Sequence, residues 1–559
     1  MLGPAPSSSS LSLSLSFPPD YKRTAALAAA EPDPAAAAAL TAAAHARGAA
    51  RLRDLCHANG GMYVKLGQHV ATLDHLLPRA YVATMRASML DACPPSPPAD
   101  VEAVIRAELG APPSTLWASF DPSPVAVASL AQVHRAVTHE GRPLAIKVQH
   151  RGLREACAAD IATVAALVSA ARWLFPDFDL GWLVAEVREN LPKELDFVRE
   201  AANAARCAAN LASPASRLGG RVRVPAPAPE FSAGRVLAME WVEGAPVTDR
   251  AGVIAAGVRP DDVSWLVAEA FSEMIFLHGF VHCDPHGGNL LVRRAGKGAV
   301  GGGLVPRTRG GEGGEAALST PPLPHAPRSR GAVSDGAVGP AELVLLDHGL
   351  YRELDDGFRL AYARLWRALL SGDVGGIYGA AAAMGTPPDS APLFASVLTM
   401  KPWALISGQR KDASGSGGGG GGGGRGRGGG GGGGSGVAAL GGVTPADRAE
   451  AAAYAADHAP DIARLLGSLP RPLLLLLKTN DCLRSIDCTL GTPANAFAVT
   501  ARECARALAA EARASGGGGL RAAVGARVAA LRAEAAVAAI RLAAWWWPPG
   551  APGGAGGGV

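Results

Sequence analysis

The sequence is poor in charge and in aromatics for its length: 18% of its 559 residues are Asp, Glu, Lys or Arg, and 5% are Phe, Trp or Tyr. Its formal net charge is only +4, so the chain lacks the basic footprint with which nucleic-acid binders meet a phosphate backbone, and no nucleic-acid partner is expected. A disulfide framework is missing as well. The cysteines (Cys56, Cys93, Cys157, Cys207, Cys283, Cys482, Cys488 and Cys504) are scattered without a C-x-x-C pair, and reduced thiols are expected. No window approaches the roughly 18 to 20 apolar residues of a membrane span; the leucine run Leu473–Leu477 is far too short. Acid is absent before Asp20 and arginine before Arg23 in a Ser-rich N-terminus. That pattern fits a disordered tail or a partial organelle-transit segment.

What the chain has in excess is Gly (71), Pro (43), Ala and Arg, the mark of GC-rich coding, so its Gly runs report composition more than mechanism. Punctuation by Gly and Pro divides it: a tail over 1–35, a helical extension over 36–112 and, where Val-rich alternation begins, a small β-containing lobe over 113–243. A larger lobe over 244–410 follows, interrupted by a low-complexity insertion at 294–340 expected to be disordered. A Gly-rich linker spans 411–445, and the remainder, 446–559, is helical by composition.

The chemistry concentrates in Val281-His282-Cys283-Asp284-Pro285-His286-Gly287-Gly288-Asn289. The H-x-D-x-x-x-x-N spacing is that of a protein-kinase catalytic loop, where the acid serves the phosphoryl acceptor and the amide serves a metal. Leu144-Ala145-Ile146-Lys147 is close to the V-A-I-K strand whose lysine pairs with phosphates and with an acid of a later helix, for which Glu194, Asp196 and Glu200 are available. Asp347-His348-Gly349 follows an apolar strand as a D-F-G motif does, with His in place of Phe. A zinc site from His282, Cys283 and His286 is disfavoured, since the H-x-x-x-H spacing presents both rings together only on a helix, and Pro285 opposes one. Glycine is missing where a kinase has G-x-G-x-x-G: the stretch reads Pro124-Val125-Ala126-Val127-Ala128-Ser129.

Together with Lys65-Leu66-Gly67-Gln68, these motifs, six in order, resemble the UbiB-like, aarF-domain atypical kinases, which carry K-x-G-Q, an Ala-rich loop, V-A-x-K, E-x-D, H-x-D-P-H-P-G-N and D-x-G. Asp347-His348-Gly349-Leu350-Tyr351, with Leu398–Trp403 and Lys478-Thr479-Asn480-Asp481, looks like one subgroup of that family. The resemblance implies an α+β, protein-kinase-like two-lobed fold with an N-terminal helical extension and C-terminal helices. It implies ATP and Mg2+ as cofactors: Lys147 on the α- and β-phosphates, paired with Glu200 or Glu194, and Asn289 and Asp347 on the metal. Asp284 would be the base or water-positioning carboxylate, and Ala126, Ala128 and Ser129 the loop over the phosphates. Met239, Glu240 and Trp241 would form the hinge for adenine, while Lys65 and Gln68 reach the cleft from the K-x-G-Q helix. Glu194 and Glu200 stand about 120° apart on one helix, so a single one is expected to meet Lys147. Gly287, replacing the family's second Pro, is expected to loosen the loop.

The resemblance implies that the K-x-G-Q helix lies across the cleft, which favours ATP hydrolysis or phosphorylation of a small lipid-like or isoprenoid acceptor over a protein acceptor. It also makes the mitochondrion the expected compartment, with the chloroplast as the alternative. The rival reading is a catalytically weak nucleotide-binding scaffold. A further expectation concerns the end of the chain, where Leu520, Val524, Val528, Leu531, Ala535, Ala538, Leu542 and Trp545 make an apolar stripe beside several arginines. Packing against the large lobe is the expected use, peripheral membrane contact the alternative.

Overall fold

The computed structural model describes residues 20–71, 78–89, 95–174, 181–296, 339–408, 465, 468–491 and 496–514, together with a few positions between 525 and 535. Most of the insertion, the Gly-rich linker and most of the C-terminal stripe lie outside the described residues. Of that stripe, Val528 and Leu531 are exposed, and the neighbouring Glu534 pairs with Arg217.

The described residues open on helices: α1 over 20–30, α2 (Pro34–Asn59), α3 (Gly61–Ala71), α4 (Arg79–Met89) and α5 (Pro98–Leu109). The expected tail is thus shorter than 35 residues. Asp20 explains the difference, since its carboxylate pairs with Arg47 and Arg51 of α2, while the Tyr21 hydroxyl meets His45 Nδ1 and the Tyr81 hydroxyl, tying α1 to the bundle. Asp33 caps α2 by accepting from Ala35 N, and Gly60 ends it at positive φ.

The small lobe is a sheet of β1 (Ser119–Phe120), β2 (Ala126–Val127), β3 (Ala131–Val137), β4 (Pro143–Gln149) and, after a short β5 (Val222–Arg223) that belongs to the other lobe, β6 (Val236–Glu240). Its order is β1-β3-β4-β6, with β2 folded back on β3. Period-two alternation along β4 sends Leu144, Ile146 and Val148 into a core with Val101, Val104 and Ile105 of α5, which leaves Lys147 on the opposite face. The short α6 (Pro113–Leu116) precedes the sheet, and between β4 and β6 lie α7 (Leu153–Leu174), α8 (Gly181–Glu194) and α9 (Phe197–Leu211). Tyr63, Val64 and Val70 of α3 pack with Leu153, Ile161, Val187 and Leu191, fixing the extension against α7 and α8.

In the large lobe β7 (Ala245–Pro246), β9 (Leu290–Arg294) and β10 (Ala341–Leu345) join β5 in the order β5-β10-β9-β7, and β8 (Phe280–His282) pairs with β11 (Tyr351–Glu353). After α10 (Arg250–Ala255), α11 (Pro260–Glu273) is buried from Val263 to Glu273 and runs through a π turn into β8. Gly279 makes that entry at φ 60°, where an added Cβ would sit 2.8 Å from the Leu354 carbonyl. The lobe is closed by α12 (Asp356–Ser371), α13 (Val374–Ala383), α14 (Ala391–Thr399), α15 (Trp403–Ile406), α16 (Arg471–Leu490) and α17 (Ala496–Ala514). The leucine run is core: Leu473, Leu475, Leu476 and Leu477 of α16 pack with Tyr362, Trp366 and Phe394. Among the described residues no helix is long and apolar enough to cross a membrane.

Because Ile146 is fully buried beside Lys147 at the centre of the small-lobe sheet, Ile146→Ala is expected to destabilise that lobe by about 2–5 kcal/mol, read as a lower urea midpoint by circular dichroism.

Candidate functional site

Lys147 is the centre of the site. It stands in the middle of the sheet, in register with Val133 on one side and Leu237 on the other. Its ammonium donates to both oxygens of Glu200, at 2.7 and 2.9 Å, and to Asp347 Oδ2 at 3.1 Å. The two acids proposed for it, Glu194 and Glu200, do not share a helix. The chain breaks at Leu195-Asp196 because the Asp196 carboxylate caps α9, accepting from Val198 N and Arg199 N. The break frees both acids to serve. Glu200 takes Lys147, whereas Glu194, the last residue of α8, pairs with Lys65 at 2.7 Å.

The catalytic-loop motif follows β8. His282 Nδ1 accepts from Asp284 N at 3.1 Å, so its Nε2 carries the proton and donates to the Asp347 carbonyl, which ties this loop to the Asp-His-Gly turn. Both His282 nitrogens are therefore committed, and its role is structural. The Asn289 amide donates to the Asp284 carbonyl at 3.0 Å, while Leu346 N donates to the Asn289 carbonyl at 2.9 Å. Asn289 and Asp347 thereby flank one end of the β9–β10 pair. Gly287, expected to loosen the loop, also has a packing role. A Cβ there would lie 2.2 Å from Thr248 Cγ2, so glycine makes room for a side chain that fills the place beside the loop.

His348 does with hydrogen bonds what Phe would do by packing. Its Nε2 donates to the Leu345 carbonyl at 3.0 Å and its Nδ1 accepts from the Tyr351 hydroxyl at 2.9 Å, with the two rings stacked. Burial pushes its pKa down to about 3, so the ring is neutral, as this pair of bonds requires.

Four carboxylates (Glu194, Glu200, Asp284, Asp347) and three ammoniums (Lys65, Lys147, Lys478) share this cleft, one negative charge in excess when all are ionised. Burial works against the charge on Asp284, but Lys478, 2.9 Å from Oδ1, and Lys65, 3.8 Å from Oδ2, hold it well below the ordinary carboxylate range. Asp347, though partly exposed, is desolvated by the chain around it, and Lys147 and the Gly349 N–H at 2.8 Å outweigh that and hold it low. Burial wins at Glu200, which rises to about 7 in spite of Lys147. The lysines stay protonated because their acids outweigh burial.

Lys478 was not among the residues proposed for the site. Its signal was present in Lys478-Thr479-Asn480-Asp481, but nothing in the sequence says that α16 reaches Asp284. Gln68 meets the Ala-rich turn, accepting from Ser129 Oγ at 3.3 Å, so α3 bridges from that turn to the catalytic loop. Ala126 pairs with Val133 in the β2–β3 hairpin, and Ala128 N closes the turn on the Ala131 carbonyl at 2.8 Å. At the proposed hinge, Met239 is paired with Ala145, Glu240 N donates to the Ala226 carbonyl at 2.9 Å and Trp241 N to that of Pro143 at 3.2 Å. Two hinge N–H groups are thus already engaged; the Glu240 carboxylate holds Arg223, and the Trp241 ring lies under Arg135.

Among the described residues no three His, Cys, Asp or Glu side chains form a ready metal cage. The donors that fit a cation are the Asp347 carboxylate, 37% exposed to the cleft, and the Asn289 amide oxygen, whose NH2 is directed at Asp284. This is a hard-oxygen pair of the kind that takes magnesium together with substrate phosphates.

A lysine on a central strand, its acid on a following helix, a catalytic loop and an Asp-x-Gly turn between two lobes define a protein-kinase-like site in an α+β fold. Comparison with known proteins places it further. The family profile of the ABC1 atypical kinase-like domain matches residues 88–381. AarF domain-containing protein kinase 1 of Mus musculus is 39% identical over 467 residues, 83% of this chain and 75% of that one. The Xenopus tropicalis protein of the same name is 37% identical over 83% of this chain and 75% of its own, and AarF domain-containing kinase 1 of Drosophila melanogaster 32% over 84% and 77%. The chain belongs to the ABC1, or AarF-domain, atypical kinase family.

The raised Glu200 gives a pH signature. Its folded-state pKa, about 7, lies above the ordinary 4.5, so between these values the native state holds a proton that the unfolded chain has released. The stability it contributes is complete below pH 4.5 and is lost as pH rises through 7. Relative to Glu200→Gln, the melting temperature of the wild type should therefore fall across that window; a difference independent of pH would contradict the assignment.

Proposed function

We propose that the cleft binds ATP with Mg2+ and catalyses phosphoryl transfer to a small acceptor or to water. The observation that carries this reading is the Lys147–Glu200 pair with Asp347 3.1 Å from the same ammonium. That is the arrangement in which kinase sites hold phosphates and metal together. Lys147 would meet the α- and β-phosphates, and Asp347 and Asn289 the metal. With no positive excess among its side chains, the cleft needs the cation to accept a triphosphate, and magnesium supplies that neutralisation when bound. Ala126, Ala128 and Ser129 would cover the phosphates. Since the N–H groups of Glu240 and Trp241 are engaged, the adenine edge would meet the carbonyl of Glu240 and the N–H of Val242.

The word kinase in the names of its relatives supports phosphoryl transfer. The small acceptor is supported by α3, whose Lys65 stands 3.8 Å from Asp284 Oδ2 and whose Gln68 touches Ser129. A polypeptide reaching Asp284 would have to displace this helix. We take the acceptor to be water or a lipid-like or isoprenoid molecule, in lipid or isoprenoid-quinone metabolism, with the mitochondrion as the compartment.

In a magnesium-dependent ATP turnover assay, Asp347→Asn and Asp284→Asn should each lower the rate by about 100-fold or more. The former should also weaken Mg·ATP binding by calorimetry. Equal turnover by wild type and both variants would refute enzymatic activity and leave a nucleotide-binding scaffold.

A further inference from the structure

The loop His282–Asn289 contains no lysine or arginine. Both cations that meet the Asp284 carboxylate come from outside the matched residues 88–381, Lys65 from α3 and Lys478 from α16. They do different things. The Lys65 ammonium is 2.7 Å from Glu194 and stays 3.8 Å from Asp284 Oδ2, beyond hydrogen-bond distance. Lys478 donates directly to Oδ1 at 2.9 Å.

The setting of Lys478 is rigid. Leu475, Leu476 and Leu477 before it are buried in the large-lobe core. After it, the Thr479 hydroxyl donates to the Leu475 carbonyl at 2.8 Å, the Asn480 amide to the Tyr362 hydroxyl at 3.2 Å, and Arg484 to the Leu398 carbonyl. The lysine side chain is only 15% exposed and its partner 18%. Withdrawing an ammonium from water is costly, and a solvated lysine elsewhere on α16 would hold the helix equally well. Its placement is therefore explained by what it touches.

We propose, building on the phosphoryl-transfer reading, that Lys478 is a positioning residue for Asp284: it anchors the carboxylate through Oδ1 and so presents Oδ2 to the attacking hydroxyl or water. The C-terminal helical region is then part of the active site. Loss of the anchor lets the carboxylate rotate while the nucleotide contacts of Lys147, Asn289 and Asp347 persist, so the defect falls on the chemical step.

The test uses the full-length protein with Lys478→Met, Lys478→Arg, Asp284→Asn and the Lys478→Met/Asp284→Asn double variant. Lys478→Met should keep Mg·ATP affinity within about twofold while lowering turnover at saturating ATP by about 10- to 100-fold, and Lys478→Arg should recover most of it. Thermal unfolding supplies a readout independent of turnover: Lys478→Met should lower the melting temperature less in the Asp284→Asn background than in wild type. Unchanged turnover, a parallel loss of Mg·ATP binding, or equal melting shifts in both backgrounds would overturn the proposal. A wild type without ATP turnover would reject the functional reading alone, and the melting cycle would still decide whether Lys478 and Asp284 act as a pair.

Discussion

Everything in the cleft depends on the ion network around Lys147. Its ammonium joins three separately placed pieces of chain, β4, α9 and the turn after β10, through Glu200 and Asp347. Buried charges are tolerated only when each finds its partner, so the network is an alignment device as much as a source of stability. If β4 slipped by one residue, Lys147 would enter the apolar core and Ile146 the cleft. The hydrophobic pattern of one strand thus sets the position of the ammonium at the centre of the network.

A second layer of the same logic surrounds Asp284. Lys65 and Lys478 come from opposite ends of the sequence, and each is delivered by a helix whose apolar side chains are packed elsewhere, those of α3 on α7 and α8 and those of α16 in the core of the large lobe. The catalytic loop is shaped by its own chemistry as well: His282 ties it to Asp347, and Asn289 closes it on the Asp284 carbonyl. The N-terminal extension and the C-terminal helices are consequently walls of the site, even though the matched kinase-like domain spans only residues 88–381.

Two departures from the expected motifs, one from the protein-kinase D-F-G and one from the family's catalytic loop, have local physical accounts. His348 substitutes two hydrogen bonds for the packing of a Phe, and burial keeps it neutral so that those bonds hold. Gly287 leaves space that Thr248 occupies. A linear motif records the replaced residue but not the neighbour that fills its place, so the packing role of Gly287 stayed hidden in the sequence.

The sequence by itself determined the chemistry-bearing set: Lys147, Asp284, Asn289 and Asp347 in kinase order, the strand on which Lys147 sits and the helices flanking it. These were legible because hydrophobic period and motif spacing are local properties of the chain. Only the tertiary structure decided how the acids were shared. On one continuous helix Glu194 and Glu200 compete for Lys147; the cap of Asp196 divides that helix and gives Lys65 an acid of its own. It alone could reveal Lys478, 194 residues from Asp284, because a contact across that distance in sequence is created by the packing of α16 and leaves no periodic trace in the chain.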